Sequence, residues 1–110
     1  MSMDLVFAAL ADPTRRAIID RLREGEMSSG DLAEPLPVSR SAVSQHLKVL
    51  ETAGLITRSK SAQKRIVALN ADALTEAADW LQSAHDEWQR RFDNLDRILA
   101  EEVPTDPPQP

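Results

Sequence analysis

Cysteine is absent from the 110 residues, which removes disulfide frameworks, zinc knuckles and thiol catalysis together and gives no sign of an oxidising compartment. Glycine is scarce: only Gly25, Gly30 and Gly54 are present, and none falls in the pattern of a phosphate-binding loop. No apolar run approaches the roughly 20 residues of a membrane-spanning helix. Met1-Ser2-Met3-Asp4 also lacks the basic stretch that opens a signal peptide, so a cytoplasmic protein is expected. No nucleophile–base pair stands out either. Ser44 and His46 are two apart in a helical stretch, and such positions do not face each other. An enzyme is therefore not expected. At 12.2 kDa the chain is one small domain with a limited core, which a partner subunit would extend.

Positive charge is in deficit overall but not everywhere. The net charge is -5 and the pI about 4.9, a balance that by itself argues against a polyanionic partner. Between Ser39 and Arg65, however, six cations (Arg40, Lys48, Arg58, Lys60, Lys64, Arg65) meet the single acid Glu51, a local +5 that leaves -10 on the remainder. One basic face on an acidic body binds phosphates locally and repels them elsewhere.

The centre of that island is a two-faced helix. Val43, Leu47 and Leu50 recur at helical spacing, and Ser41, Ser44, Gln45 and Lys48 repeat on the other side. Ser39 reads as its N-cap, Val38 and Val43 as a hydrophobic staple, and Gly54 as its C′ stop. Short hydroxyls, a carboxamide and the cations Arg40 and Lys48 suit base edges and phosphates, so the stretch reads as a DNA-recognition helix.

Upstream, Leu5, Val6, Ala9 and Leu10 predict a short helix that breaks at Ala11-Asp12-Pro13. Asp12 then caps, and Pro13 opens, a second helix to about Arg23 with Ala17, Ile18 and Leu22 inward. Met27–Glu34 predicts a third helix of two turns capped by Ser28, and Pro35-Leu36-Pro37 stops it. Helix, tight turn and helix across Ser28–Ala53 form a helix-turn-helix pattern. Downstream, Leu55–Ser59 and Arg65–Leu69 predict a hairpin with a basic tip, Lys60–Lys64, which makes a wing over about 56–69.

The last helix, about 71–102, has no proline or glycine; some 31 residues span about 46 Å. Leu74, Leu81, Trp88 and Leu95 recur every seventh residue, joined by Ala78, His85, Phe92 and Leu99, a heptad-like seam that predicts a dimer interface. Val103–Pro110 holds four prolines in eight residues and reads as a disordered tail. The fold expected is mainly α with a small β-hairpin: a winged helix-turn-helix over 1–102, followed by the tail 103–110.

Three ordered segments carry a family resemblance: Ala9-Leu10-Ala11-Asp12-Pro13-Thr14-Arg15-Arg16-Ala17-Ile18, the recognition stretch Val38–Leu50, and Ala53-Gly54-Leu55-Ile56 before the wing. Together they resemble the ArsR/SmtB group of small bacterial winged-helix repressors. The resemblance implies a nucleoid-associated homodimer joined through its first and last helices, with Leu5 beside Leu74, Leu81, Trp88, Phe92 and Leu95 in the interface. It also implies a palindromic operator in double-stranded DNA, near its own or a neighbouring operon. It places Ser39, Arg40, Ser41, Ser44, Gln45, His46 and Lys48 on DNA, with Lys60 and Lys64 as wing contacts.

Gln45 suits adenine, Arg40 suits guanine or phosphate, and Ser39, Ser41 and Lys48 suit the backbone. For His46 a hydrogen bond to phosphate or to the protein is favoured over base readout. Metal-sensing members use cysteine pairs or Asp/His/Glu sets. Here the last helix offers Asp79, His85, Asp86 and Glu87 with one imidazole, so no metal and no cofactor is expected, and the chain sits closer to the metal-independent branch. His85 reads as a seam or surface residue. The rival reading is a winged-helix module that binds protein rather than DNA.

Overall fold

Residues 2–102 are described by a computed structural model, with side chains through 101; the expected tail, 103–110, lies outside the described residues. Helix α1 (Met3–Leu10) leads into α2 (Pro13–Leu22), a two-residue strand β1 (Met27–Ser28) and the single-turn helix α3 (Ser29–Ala33). The long amphipathic α4 (Arg40–Thr52), the hairpin β2 (Ile56–Ser61) and β3 (Lys64–Leu69), and α5 (Ala71–Glu102) complete the chain. The sheet order is β1-β3-β2, antiparallel throughout. The described residues divide into two units, one ending at Ala77 and the other beginning at Ala78. Among the described residues no helix is long and apolar enough to cross a membrane.

In the first unit the caps explain the element boundaries. Asp12 Oδ1 accepts from the amides of Thr14 at 2.8 Å and Arg15 at 3.1 Å, while Pro13 has no amide to satisfy. Two arginines of α2 reach back over the end of α1. Arg15 donates to the carbonyl oxygens of Ala9 (2.6 Å) and Ala8 (3.2 Å), and Arg16 to that of Leu10 (2.9 Å). Three carbonyls at a helix C-terminus, where negative partial charge collects, are thus covered by guanidinium groups. The core beneath joins Val6 and Ala9 of α1, Ile18, Ile19 and Leu22 of α2, Leu32, and the inner face of α4 to Leu55, Ile56 and Val67. Ala73 and Ala77 at the start of α5 complete it. No polar or charged side chain among the described residues is buried.

Two local expectations change. Met27–Glu34 is not one helix. Met27 and Ser28 pair instead with Val67 and Ile66 of β3, and the helix begins only at Ser29, with Ser28 Oγ accepting from the Asp31 amide at 3.1 Å. The ladder partner lies about 40 residues away, where local pattern cannot register it. The wing strands are also longer than expected: Lys60 and Lys64 belong to them, pairing with Arg65 and Ser61, and the loop is Ala62-Gln63. Ala62 takes φ 55°, the left-handed conformation that a two-residue hairpin turn demands.

From Ala78 to Glu101 every described side chain of α5 is exposed, including Leu81, Trp88, Phe92, Leu95 and Leu99. Leu74, expected in the seam with them, is half-buried against the core of the first unit.

The amides of Arg15 and Thr14 hold the Asp12 carboxyl below its ordinary value. A folded-state value below the unfolded one means that this cap contributes stability above about pH 3.9 and loses it as pH falls through the lowered value. Asp12→Asn keeps a capping oxygen and cannot titrate, so its acid-denaturation curve should be shallower than wild type; superimposable curves would refute the role. Leu50→Ala should lower unfolding free energy by about 2–5 kcal/mol in chemical denaturation.

Candidate nucleic-acid interface

Helix α4 is fixed in both rotation and length. Val43, Leu47 and Leu50 are at most 2% exposed and hold one face against α1, α2 and β2. Ser39 Oγ accepts from the Ala42 amide at 3.0 Å to start the helix. At the other end the Leu55 amide donates to the Leu50 carbonyl (3.0 Å) and the Gly54 amide to that of Glu51 (2.9 Å), with Gly54 at φ 80°. These are the two bonds of a Schellman motif, which needs a residue free of Cβ strain at C′. The Asn70 side-chain amide donates to the Gly54 carbonyl at 2.8 Å and ties this stop to the start of α5.

That anchoring leaves Ser41, Ser44, Gln45 and Lys48 exposed on the opposite face and Arg40 exposed at the helix start, with no acid among them. Ser39 is exposed too, although its hydroxyl already serves as the cap. His46 is placed differently from its neighbours. It is half-buried, and its Nδ1 lies 3.3 Å from Arg15 Nη1. A guanidinium only donates, so in this contact Nδ1 is the accepting partner. His46 therefore joins α4 to the α1–α2 junction, where the sequence had left phosphate and protein both open as its partner.

The wing register sorts its cations. Residues directly opposite in a hairpin share a face and neighbours in a strand alternate, so Arg58, Lys60 and Arg65 lie on the side of buried Ile56 and Val67. Lys64 lies on the other side with Ser61. The two expected wing contacts, Lys60 and Lys64, are thus on opposite faces. Arg65 instead stands with Lys60, and it also lines a cleft of about 160 Å³ with Ser29, Arg40, Ser44 and Arg58. Arg58 donates to Glu51 at 2.7 Å, a contact that holds the Glu51 carboxyl below its ordinary value and raises the guanidinium. The one acid of the island is thereby neutralised, and α4 is tied to β2. Among the described residues no three His, Cys, Asp or Glu side chains gather as a metal site.

A helix-turn-helix domain family matches residues 10–59. The HTH-type transcriptional regulator Rv2034 of Mycobacterium tuberculosis is 51% identical over 73 residues, covering 66% of this chain and 68% of that protein. The transcriptional repressor SdpR of Bacillus subtilis is 38% identical over 79 residues, covering 72% and 88%. An ArsR-like transcriptional regulator from Rhodococcus sp. RHA1 superposes with a TM-score of 0.77 at 34% identity, over 87% of this chain and 91% of that one. The chain belongs to the ArsR/SmtB family of transcriptional regulators.

In this ArsR-family regulator the DNA-binding helix-turn-helix is α3 and α4, and the wing is β2 and β3. Sequence reasoning placed Arg65 in the basic island but not on the same wing face as Lys60; the alternation of Arg65, Val67 and Leu69 was the available signal. Nothing local marked Arg15 as the partner of His46, 31 positions away.

Replacing Lys60 and Arg65 together by Ala should flatten the salt dependence of DNA binding by about two phosphate contacts. Lys64→Ala alone should change the slope less. Equal slopes for the double variant and wild type would remove this face of the wing from the interface.

Proposed function

We propose that the chain acts in the cytoplasm as a homodimeric repressor of its own or a neighbouring operon and binds a palindromic operator without a metal cofactor. The observation that carries the reading is the exposed face of α4. Ser41, Ser44, Gln45 and Lys48 are presented by a helix whose rotation is set by three buried residues, beside a cleft lined by Arg40 and Arg65. Gln45 pairs with adenine N6 and N7, and Arg40 with guanine or phosphate. Ser41, Lys48, Lys60 and Arg65 hold the backbone, Ser44 extends the polar face, and Ser39 contributes through the helix N-terminus that it caps.

Dimerisation rests on α5. Leu81, Trp88, Phe92, Leu95 and Leu99 are each more than half exposed along one helical stripe, and the Trp88 and Phe92 rings stack at 5.3 Å. His85 extends the row, 6.4 Å from Trp88. A row of this size left in water is unfavourable, and a second copy in register supplies the missing apolar surface. Two recognition helices then enter successive major grooves about 34 Å apart, and repression follows from occupying promoter DNA. The absence of cysteine and the single histidine on α5 leave few soft or imidazole ligands, which supports the metal-independent branch.

A mobility-shift assay on the DNA upstream of its gene should show a complex, and Gln45→Ala should weaken it about tenfold or more. No shift by either protein would sink the reading. Trp88→Glu should sediment as monomers and bind the operator poorly, since the two half-sites no longer share one binding event; intact dimers would clear α5 of that role.

A further inference from the structure

A second concavity lies on the opposite side of α4 from the wing. It is a groove of about 530 Å³ between α1 and α4, within the about 300–1,000 Å³ typical of small-molecule sites. Ala8 and Ala53 contribute small side chains to its lining, and its apolar walls are Val49, 41% exposed, and Leu5, 47% exposed in the single chain and the one lining residue that the family resemblance puts at the dimer interface. The polar lining is Arg15, Lys48, Gln45 and Thr52, so two cations and no acid face the groove. The nearby Asp12 carboxylate accepts from the amides that open α2.

We infer that this groove binds an amphipathic anion, a medium-chain or aryl carboxylate, and that its occupancy lowers DNA affinity. The hydrocarbon lies on Leu5, Val49 and the alanines, and the carboxylate meets Arg15, whose planar fork suits bidentate pairing. Of the three hydrogen bonds that the Arg15 side chain makes, the one to His46 is the longest, 3.3 Å against 2.6 and 3.2 Å. It is also a bond to a side chain rather than to main chain, and it yields first to a charged acceptor. Losing it removes the side-chain tie between the middle of α4 and the α1–α2 junction and leaves the core contacts alone to set the helix, while the same anion offsets Lys48 on the DNA-facing side. Charge complementarity selects this occupant over a second copy of the chain, for which the uncharged stripe on α5 is the better match.

The site stands without the DNA-binding reading; its regulatory effect rests on that reading. The probe is decanoate below its micelle concentration, titrated calorimetrically into the full chain without DNA. Saturable binding should be about tenfold tighter than that of decyltrimethylammonium, which has the same tail and opposite charge. Val49→Asn, which removes an apolar wall, and Ala8→Gln, which fills the groove from an exposed helical position, should each weaken it about tenfold. Trp88→Glu should leave it intact, separating the groove from α5. Absent saturation, equal binding of the cation, or indifference to both groove variants overturns the site. Dissociation of dimers by Val49→Asn overturns it as well and assigns the groove to a second copy. Decanoate should also weaken the operator complex of wild type and not that of Val49→Asn. Binding with unchanged DNA affinity overturns the regulatory effect, whereas a chain that shifts no DNA at all indicts the DNA reading and leaves calorimetry to judge the groove.

Discussion

Burial of Val43, Leu47 and Leu50 sets the rotation of α4, and most of what this regulator offers to DNA depends on that angle. A helix turns about 100° per residue, so exchanging one of these three positions for a neighbour would carry Ser44 and Gln45 off the exposed face. The remaining contacts of α4 act on position rather than angle. Ser39 and Gly54 fix its length, Arg58 holds its last turn through Glu51, and Arg15 holds its middle through His46. The reading face is therefore bare because each ordering contact approaches from behind or from an end.

The charge distribution follows the same division. The acidic residues lie outside the island, whose single carboxylate is paired with Arg58. A chain of net -5 can meet DNA through one face because field strength near a phosphate is local, screened over about 8 Å at physiological salt. The acidic remainder limits unspecific association with polyanions and orients the approach.

Sequence disclosed what short-range chemistry decides. Asp12-Pro13, Ser39 and Gly54 each specify one backbone geometry with their immediate neighbours, and the ends of α2 and α4 fall where those residues place them. The stripe on α4 was equally legible, since its period is that of the helix itself. What escaped depended on distant partners. Met27-Ser28 is a strand only because β3 lies beside it. Lys60 and Lys64 looked equivalent until the register put them on opposite faces and brought Arg65 beside Lys60. Leu74 belongs to the heptad pattern, yet the core takes it first, because the opening turns of α5 are already packed there through Ala73 and Ala77.

Arg15 joins α1 to α4 through two main-chain oxygens and one imidazole. Every helix supplies such oxygens whatever its side chains, so exposed position 8 is free to vary in descendants without breaking the joint, provided α1 stays helical, whereas Ala9 is held to a small side chain by the core and not by this bond. His46 has no such latitude. The junction is thus tolerant on one side and exacting on the other, which lets a lineage diversify the α1 surface while the placement of its DNA-reading helix is inherited unchanged.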